Sequence, residues 1–467
     1  MIVIGGGLAG LSAGVALAEV GWRVHLFEQR PFLGGRATSY VLPDGEHVDN
    51  CQHVTLGCCT NLEDFYRRVG SEAKIKYFDR LLFEDPQGRK GIMQAGWLPA
   101  PLHMVGSFLT FAPLSTADKV SIGRALLAIL RGQGHTADLD EPGGISMLEW
   151  LRRRKQTRRA MDRFWRVVLV SALDEELDRT DARFGVDVFW KGFLCNRTGY
   201  RMGVPSVPLA QLYDGCKAEI ERRGGEVSLR MPVRGIQWNG DGVTGVEFDD
   251  GRQESADAYI FAIPHQNLAE LLPPRIKERE PALARIDEIK VAPITGVHFW
   301  FDREVMREPF VTLLDTTTQW IFNKSQLYGA ENASGKGKGQ YLQLVISASY
   351  DLLPRSRQEI VDHCLAEVHQ ALAESRNATL LKSTVIKEAA ATFSPAPGVD
   401  KLRPSQHTAV KGLYLAGDWT ATGWPATMEG AVRSGYLAAE AILKDSGSPR
   451  TFVQPDLSVE TLVRWLG

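Results

Sequence analysis

Several features that would point to particular functions are missing from this sequence of 467 residues. Its 54 Lys and Arg nearly balance its 56 Asp and Glu, so the formal charge is −2 and gives no reason to expect nucleic acid as a partner. The six cysteines form no CxxC pair and no metal-ligand spacing. The sequence therefore predicts reduced thiols and no metal site.

Uninterrupted hydrophobic runs long enough to cross a membrane are missing as well. The longest uncharged stretch, 97–114, is interrupted by Pro99, Pro101 and Pro113. A secretory signal is not expected, because a glycine cluster already starts at Gly5. These observations predict a cytoplasmic protein.

Residues 1–28 follow the order strand, glycine-rich loop, helix, strand and acid that is typical of a dinucleotide site. Gly5 permits a tight turn, Gly7 lets the backbone approach a pyrophosphate, and Gly10 lets the helix pack on the strand. The N-terminus of that helix, expected over about 8–20, offers unpaired N–H groups to phosphate. Glu28, 18 residues after Gly10, is placed to accept hydrogen bonds from ribose hydroxyls.

The same glycine spacing occurs a second time, at Gly240, Gly242 and Gly245. That copy lies between two strand-like runs and no helix follows it, so it predicts a β-hairpin. We expect a single nucleotide site.

Two further segments resemble the FAD-binding superfamily of amine oxidases and carotenoid desaturases. Gly34, Gly35 and Arg36 follow the acid at the superfamily's spacing, which implies that FAD is the cofactor and that these residues lie beside its pyrophosphate. Near the other end, an apolar strand stops at Gly417 and Asp418. In the superfamily this Asp reaches the ribityl chain or phosphate; a helix-capping Asp is the alternative.

The resemblance also implies roles for two apolar residues. The helix that begins near Met428 would point its positive end at the flavin and stabilise negative charge on it. Val233, on a strand of the segment 231–238, would pack near adenine. An ordinary core position is the alternative for this valine.

These motifs predict an α/β fold, with a Rossmann-type FAD-binding domain and a mixed α+β substrate domain, as in amine oxidase-like flavoproteins. The FAD-binding domain is expected to be discontinuous, formed by 1–70, 206–265 and 405–445. The stretches 71–205 and 266–404 would build a substrate-binding, membrane-facing domain, followed by a C-terminal tail, 446–467.

The segment 48–70, VDNCQHVTLGCCTNLEDFYRRVG, resembles the squalene-associated flavoproteins, whose characterised members are hydroxysqualene dehydroxylases. The resemblance implies reductive removal of an allylic hydroxyl from hydroxysqualene to give squalene for hopanoid synthesis. Two alternatives remain: an isoprenoid or carotenoid (phytoene-type) desaturase, and a non-catalytic lipid-binding relative. The motifs do not identify the electron donor. Amine oxidases of the superfamily commonly place a lysine near flavin N5 on the equivalent strand. The strand-like segment 294–302 carries no lysine, so this comparison disfavours amine oxidation.

Removal of a hydroxyl needs an acid that protonates it. We expect His53 to be that acid, with Asp49 orienting it or anchoring its loop; packing of His53 and backbone hydrogen bonding by Asp49 are the alternatives. Glu429 is a second candidate acid. Four aromatic residues could line a substrate channel or belong to the core: Trp190, Phe193, Phe299 and Trp300.

An apolar substrate suggests peripheral attachment to the cytoplasmic face of a membrane. The stretch 97–114 could lie in the interface, anchored by Trp97, or be buried under the substrate domain. The segment 151–166 carries eight basic residues and one acidic residue, which suits anionic headgroups. A solvated helix face is the alternative for that segment.

Overall fold

The computed structural model describes residues 1–329 and 339–466; residues 330–338 of the predicted substrate domain and residue 467 of the tail lie outside the described residues. The strands within the described ranges are, in chain order, β1 (Ile2–Ile4), β2 (His25–Glu28), β3 (Ser39–Val41), β4 (His47–Asp49), β5 (Thr55–Leu56), β6 (Ile75–Phe78), β7 (Arg80–Glu84), β8 (Lys90–Gln94), β9 (Met202–Pro205), β10 (Glu226–Leu229), β11 (Val233–Trp238), β12 (Val243–Phe248), β13 (Gln253–Glu254), β14 (Tyr259–Phe261), β15 (Val291–Phe301), β16 (Phe310–Leu313), β17 (Trp320–Asn323), β18 (Gln340–Ser347), β19 (Leu380–Phe393) and β20 (Leu413–Leu415).

Helices fill most of the connections between these strands. The α-helices of the described ranges are α1 (Leu8–Glu19), α2 (Thr60–Arg68), α3 (Val105–Thr110), α4 (Thr116–Arg131), α5 (Met147–Arg153), α6 (Arg158–Ala160), α7 (Arg166–Leu173), α8 (Ala182–Phe189), α9 (Asp214–Arg222), α10 (His265–Leu271), α11 (Pro274–Arg279), α12 (Lys324–Tyr328), α13 (Arg357–Ala371), α14 (Met428–Asp445) and α15 (Thr461–Leu466). π-helical turns join α6 to α7 and extend α8.

A parallel sheet with strand order β10-β2-β1-β14-β20 brings the two ends of the chain together. Strands β1, β14 and β20 are short, fully buried apolar runs, as parallel strands covered by helices require. Helix α1 crosses from β1 to β2 and is buried along almost its whole length. It packs closely on α14, where a Cβ on Gly435 would meet the Ala9 carbonyl oxygen at 2.3 Å.

The second large sheet has the order β19-β15-β18-β17-β16-β7-β8 and is mixed. It lies in the stretches predicted to bind substrate. The second glycine motif is a β-hairpin, as predicted: β11 and β12 pair antiparallel on either side of Gly240 and Gly242. The glycines there form the turn of the hairpin. Since a strand and not a helix follows them, no helix N-terminus presents N–H groups to a phosphate.

One buried carboxylate connects these parts of the chain. Asp49 ends β4, and its Oδ1 accepts hydrogen bonds from Ser39 Oγ at 2.7 Å and Leu209 N at 3.0 Å. Its Oδ2 accepts from Lys324 Nζ at 2.7 Å and Tyr328 Oη at 2.6 Å. Lys324 Nζ also donates to Gln52 Oε1 at 2.6 Å. The loop that follows β4 is therefore fixed by four donors from other segments.

Asp49 and Lys324 form a buried ion pair, and each charge is stabilised mainly by the other. Burial alone would raise the pKa of Asp49, but the attraction of Lys324 and the hydrogen bonds to the carboxylate outweigh it and leave this pKa below its ordinary value. Burial lowers the pKa of Lys324, against the pull of Asp49. Removing one partner would leave the other charge buried without compensation.

We predict that Lys324→Met lowers the free energy of unfolding by about 3–5 kcal/mol, measured by urea denaturation, because it leaves Asp49 buried and unpaired. The matched control is Lys217→Met, which removes an exposed pair with Glu221 at 3.6 Å and should cost about 0.5 kcal/mol or less. Adding Asp49→Asn to Lys324→Met should recover part of the loss. Equal unfolding midpoints for Lys324→Met and Lys217→Met would contradict a structural role for the buried pair.

Candidate active site

A cleft of about 440 Å³ opens at the carboxyl ends of β1, β2, β14 and β20. This edge of an open parallel sheet is where such folds bind ligands. Most of the residues predicted to hold the cofactor line the cleft: Gly5, Gly7, Glu28, Gly34, Gly35, Arg36, Val233, Gly417, Asp418 and Met428. Gly10 does not line it and lies behind the glycine turn.

The glycine turn has the shape that a pyrophosphate needs. A Cβ on Gly5 would meet the Ala262 carbonyl oxygen at 2.4 Å, and one on Gly10 would meet the Gly5 carbonyl oxygen at 2.0 Å, so neither position has room for a side chain. Gly7, by contrast, has room for a Cβ, which would lie 3.8 Å from Gly35 Cα, at an ordinary contact distance. Backbone N–H groups at the start of α1 are therefore accessible to a phosphate.

Glu28 sits at the end of β2 and is buried. Its Oε2 accepts a hydrogen bond from Gly6 N at 2.7 Å, and its Oε1 accepts one from Arg30 N at 2.7 Å. Arg30 in turn donates from Nη1 to the carbonyl oxygen of Gly35 at 3.1 Å. The acid thus links the glycine turn to the second glycine pair and presents a carboxylate at the cleft.

Arg36 and Asp418 form an ion pair of 2.6 Å across the cleft wall. Arg36 also donates from Nη1 to the carbonyl oxygen of Ala391 at 2.8 Å, which ties the FAD-type motif to β19. The loop after Asp418 is held by Arg403, whose Nη2 donates to several oxygens of residues 418–424. Sequence reasoning missed Arg403, because a single arginine in a polar loop carries no motif.

His53 lines the cleft, and among the described residues it hydrogen-bonds only within its own loop. Its Nδ1–H donates to the carbonyl oxygen of Cys51 at 3.0 Å, which leaves Nε2 without a proton in the neutral ring. Burial lowers the pKa of His53, so the ring is neutral at physiological pH. Asp49 makes no hydrogen bond to His53 among the described residues; it anchors the loop, the second of the two roles expected for it. A neutral histidine is a poorer acid than the sequence hypothesis requires.

Glu429, the other candidate acid, lies in the first turn of α14. Its carboxylate accepts hydrogen bonds from Leu62 N at 2.8 Å and from Asn61 Nδ2 at 2.8 Å, which joins α14 to α2. Burial raises its pKa, and these hydrogen bonds lower it by less. These contacts indicate that Glu429 packs α14 against α2 and complements the dipole of α14.

A second cavity of about 300 Å³ adjoins the cleft. Most of its surface is apolar, although Arg163, Asp187, Lys191 and Glu429 also line it. Both cavities are lined by Val54, Ser171, Ala172, Thr427 and Met428, so they meet at these residues. The aromatic part of its wall consists of Phe83, Phe108, Phe111, Phe164, Phe189, Phe193, Trp320 and Trp424.

Of the four aromatics proposed for a channel, Phe193 lines this cavity. Phe299 is buried in the cluster between β15 and α13, and Trp300 stacks on Tyr341 with ring centroids 4.6 Å apart. Trp190 packs on the main core and beside the tail. Phe299 and Trp300 are consecutive residues of β15, so they face opposite sides of the sheet, and neither lines the cavity.

The stretch 97–114 is partly exposed and partly buried. Trp97 is 86% exposed and Leu109 is 62% exposed, whereas Phe111 and Leu114 are buried. Pro101, Met104, Val105 and Phe108 of the same stretch line the apolar cavity. Within the described residues, no helix has both the length and the apolar character needed to span a bilayer.

The basic segment 151–166 is largely neutralised by its surroundings. Ion pairs with nearby carboxylates occupy five of its eight basic residues: Arg153, Arg154, Arg158, Arg163 and Arg166. Arg163 is buried and pairs with Asp85 at 3.0 Å. The segment is therefore mostly a set of ion-paired helix faces, which agrees with the alternative of a solvated helix face.

Comparisons with known proteins agree with this architecture. The family model of flavin containing amine oxidoreductases matches residues 8–443. The chain is 29% identical to 15-cis-phytoene desaturase of Solanum lycopersicum, covering 95% of this chain and 78% of the relative, and 27% identical to zeta-carotene desaturase of Synechocystis sp., covering 97% and 98%. An oxidoreductase structure from Methanosarcina mazei aligns with a TM-score of 0.71 at 18% identity, over 95% of this chain and 99% of that one.

The predicted fold class and the predicted cofactor, FAD, are both confirmed by these comparisons. The two relatives are carotenoid desaturases rather than hydroxysqualene dehydroxylases. With its parallel sheet, its glycine turn and a family match that spans most of its length, the chain belongs to the flavin containing amine oxidoreductase family and is an FAD-dependent oxidoreductase.

Proposed function

We propose that this protein desaturates a long isoprenoid hydrocarbon, with FAD as the hydride acceptor. The observation that carries the proposal is the apolar, aromatic-walled cavity that joins the cofactor cleft. Such a wall suits a hydrocarbon chain, since it offers few partners to a polar substrate. The similarity to phytoene and zeta-carotene desaturases supports the same substrate class.

The proposed cofactor contacts follow from the lining of the cleft. Gly5, Gly7 and the start of α1 would bind the pyrophosphate, with Gly10 supporting the turn, and Glu28 would bind the adenosine ribose. Val233 would pack on the adenine side. The others would lie along the flavin half of the cofactor: Gly34, Gly35, Arg36, Gly417, Asp418 and Met428. We also propose the discontinuous division into an FAD-binding unit and a substrate unit, with the boundaries predicted from the sequence.

A second candidate is the reductive dehydroxylation of hydroxysqualene. It is favoured by the position of the segment 48–70, on which the resemblance to the squalene-associated flavoproteins depends. His53 of this segment lines the cofactor cleft, whereas Cys58, Cys59 and Leu62 line the apolar cavity. The two candidates share the cofactor and the substrate class and differ in redox direction.

The first experiment compares the two directions without oxygen. Oxidised holoenzyme is mixed with 15-cis-phytoene, and dithionite-reduced holoenzyme with hydroxysqualene, while the flavin absorption is followed and products are identified by mass spectrometry. We expect phytoene to bleach the flavin and gain a double bond. Reoxidation of the flavin by hydroxysqualene, with squalene as product, would instead establish the second candidate, and no reaction with either would refute both.

The apolar cavity gives a matched pair of variants for this assay. Val168→Trp adds bulk to its wall and should lower turnover at least 10-fold while FAD stays bound, because the substrate chain no longer fits. Val41→Trp makes the same change at a strand position that is 64% exposed and should leave turnover unaltered. Equal turnover of the two variants would place the substrate elsewhere.

We further propose that the stretch 97–110 rests on a lipid surface, so that a hydrocarbon enters the apolar cavity from the bilayer. Support comes from the exposed Trp97 and Leu109, and from Pro101 and Phe108, which line that cavity. The tail helix α15 packs beside Ala100 and adds an exposed Trp465. Since the basic segment is mostly ion-paired, the contact would be apolar rather than electrostatic.

Flotation with phosphatidylcholine vesicles tests this surface. The wild-type protein should float with the vesicles, and the double variant Trp97→Ser/Leu109→Ser should lose at least 10-fold in bound fraction. The control Leu381→Ser removes an apolar side chain that is 65% exposed on β19 and should bind as the wild type does. Binding should persist at high salt; binding only to anionic vesicles at low salt would contradict an apolar contact.

A further inference from the structure

Asp174 lines the cofactor cleft, two residues along the chain from Ala172, where the cleft meets the apolar cavity. It directly follows α7, whose residues Ser171 and Ala172 line both cavities, and Asp174 itself lines the cleft. Its backbone is left-handed, with φ of 55°, and its N–H donates to the Val170 carbonyl oxygen at 2.9 Å. Its side chain contacts Ala348, which directly follows β18, and Thr392 of β19.

The carboxyl group is held in place by neutral donors only. Oδ1 accepts a hydrogen bond from Ala348 N at 2.8 Å, and Oδ2 accepts one from Thr392 Oγ1 at 2.9 Å. Within the described residues no Lys, Arg or His nitrogen lies within 4.0 Å of it. In this respect it differs from Asp418, which also lines the cleft but is paired with Arg36.

The groups around Asp174 favour its protonated form. Burial raises its pKa well above the ordinary value, the two hydrogen bonds lower it by less, and the neighbouring Glu175 raises it further. Glu175 is itself held by Tyr350 Oη and Ser394 Oγ, and Arg179 lies 3.5 Å from it. On the side of the 49–53 loop, the facing thiol is Cys51, which burial and Asp174 keep protonated.

We propose that Asp174 is the catalytic residue that exchanges a proton with the substrate. The proposal rests on the proposed function, in which bound flavin takes up or supplies the hydride. In desaturation the deprotonated form of Asp174 acts: after Asp174 has lost its proton to solvent, its carboxylate takes a proton from the carbon next to the one that loses hydride, and a double bond forms. In dehydroxylation, protonated Asp174 gives its proton to the hydroxyl, the C–O bond breaks, water leaves, and hydride is added to that carbon.

His53 is the weaker choice for the proton donor that dehydroxylation needs. Its Nδ1–H is already donated to the loop backbone, and its neutral ring has no proton to give at Nε2. Asp174 presents a titratable carboxyl group in the cofactor cleft, two residues along the chain from Ala172, which lines both cavities. We therefore assign the donated proton to Asp174, and we expect its carboxylate to accept the proton in desaturation.

The test combines turnover, its pH dependence and infrared spectroscopy on the holoenzyme. Asp174→Asn should keep FAD but lose about 10²–10⁴-fold in turnover, together with one limb of the pH profile. Resting wild-type protein should show the carbonyl stretch of a protonated carboxyl that disappears as pH rises and is absent from Asp174→Asn. If Asp174 accepts the proton, wild-type turnover rises with pH along that limb; if it donates, turnover falls.

Two control variants move the same limb in opposite directions. Glu175→Gln removes the neighbouring charge and should shift both the limb and the infrared transition to lower pH. Thr392→Val removes a hydrogen bond to the carboxylate and should shift them to higher pH. These shifts decide the question even if Asp174→Asn does not fold, and a limb that stays in place in both controls would overturn the proposal.

The assay separates this proposal from the proposed function. If wild-type protein transforms neither phytoene nor hydroxysqualene, the proposed function fails, whatever the infrared titration gives. If it transforms one of them, and Asp174→Asn does so equally fast with the same pH profile, only the assignment of Asp174 is overturned.

Discussion

The site depends on the hydrogen bonds and the ion pair that the buried carboxylate of Asp49 forms. Four donors from three segments of the chain meet on it: Ser39, Leu209, and the pair Lys324 and Tyr328. A buried charge that lost any of these partners would be costly, so the segments have little freedom to move apart. The loop that carries Cys51, Gln52 and His53 is thereby held against the cofactor cleft, and the apolar cavity keeps its position relative to that cleft.

The electrostatics of the site follow from this enclosed geometry. At the cofactor end, charges are paired: Arg36 with Asp418, and the carboxylate of Glu28 with two backbone N–H groups. Toward the apolar cavity, burial favours neutral forms, which lowers the pKa of His53 and raises that of Asp174. The protein thus provides paired charges at the cofactor end of the cleft, and the buried His53 and Asp174 favour their neutral forms where a hydrocarbon would react.

The cofactor frame is common to a family of oxidoreductases, and the fold alone does not choose among reactions. Above the cleft, aromatic residues form a cavity that continues toward the exposed stretch 97–110. A reaction that needs only hydride transfer and one proton requires little more from the protein than this cavity, the cofactor and a single titratable group. Desaturation and dehydroxylation both meet that description, in opposite redox directions.

The sequence by itself determined the cofactor part of this protein. The glycine spacing, Glu28, the Gly-Gly-Arg segment and Asp418 act through backbone geometry and local order, so their pattern is readable along the chain. It also distinguished the false glycine motif at 240–245, because a strand rather than a helix follows. The tertiary structure decided the rest: Lys324, Arg403 and Asp174 belong to no motif, and Phe299 and Trp300 turned out to lie in the core. Their roles depend on burial and on contacts with other segments of the chain, and both of these properties arise only when the chain has folded.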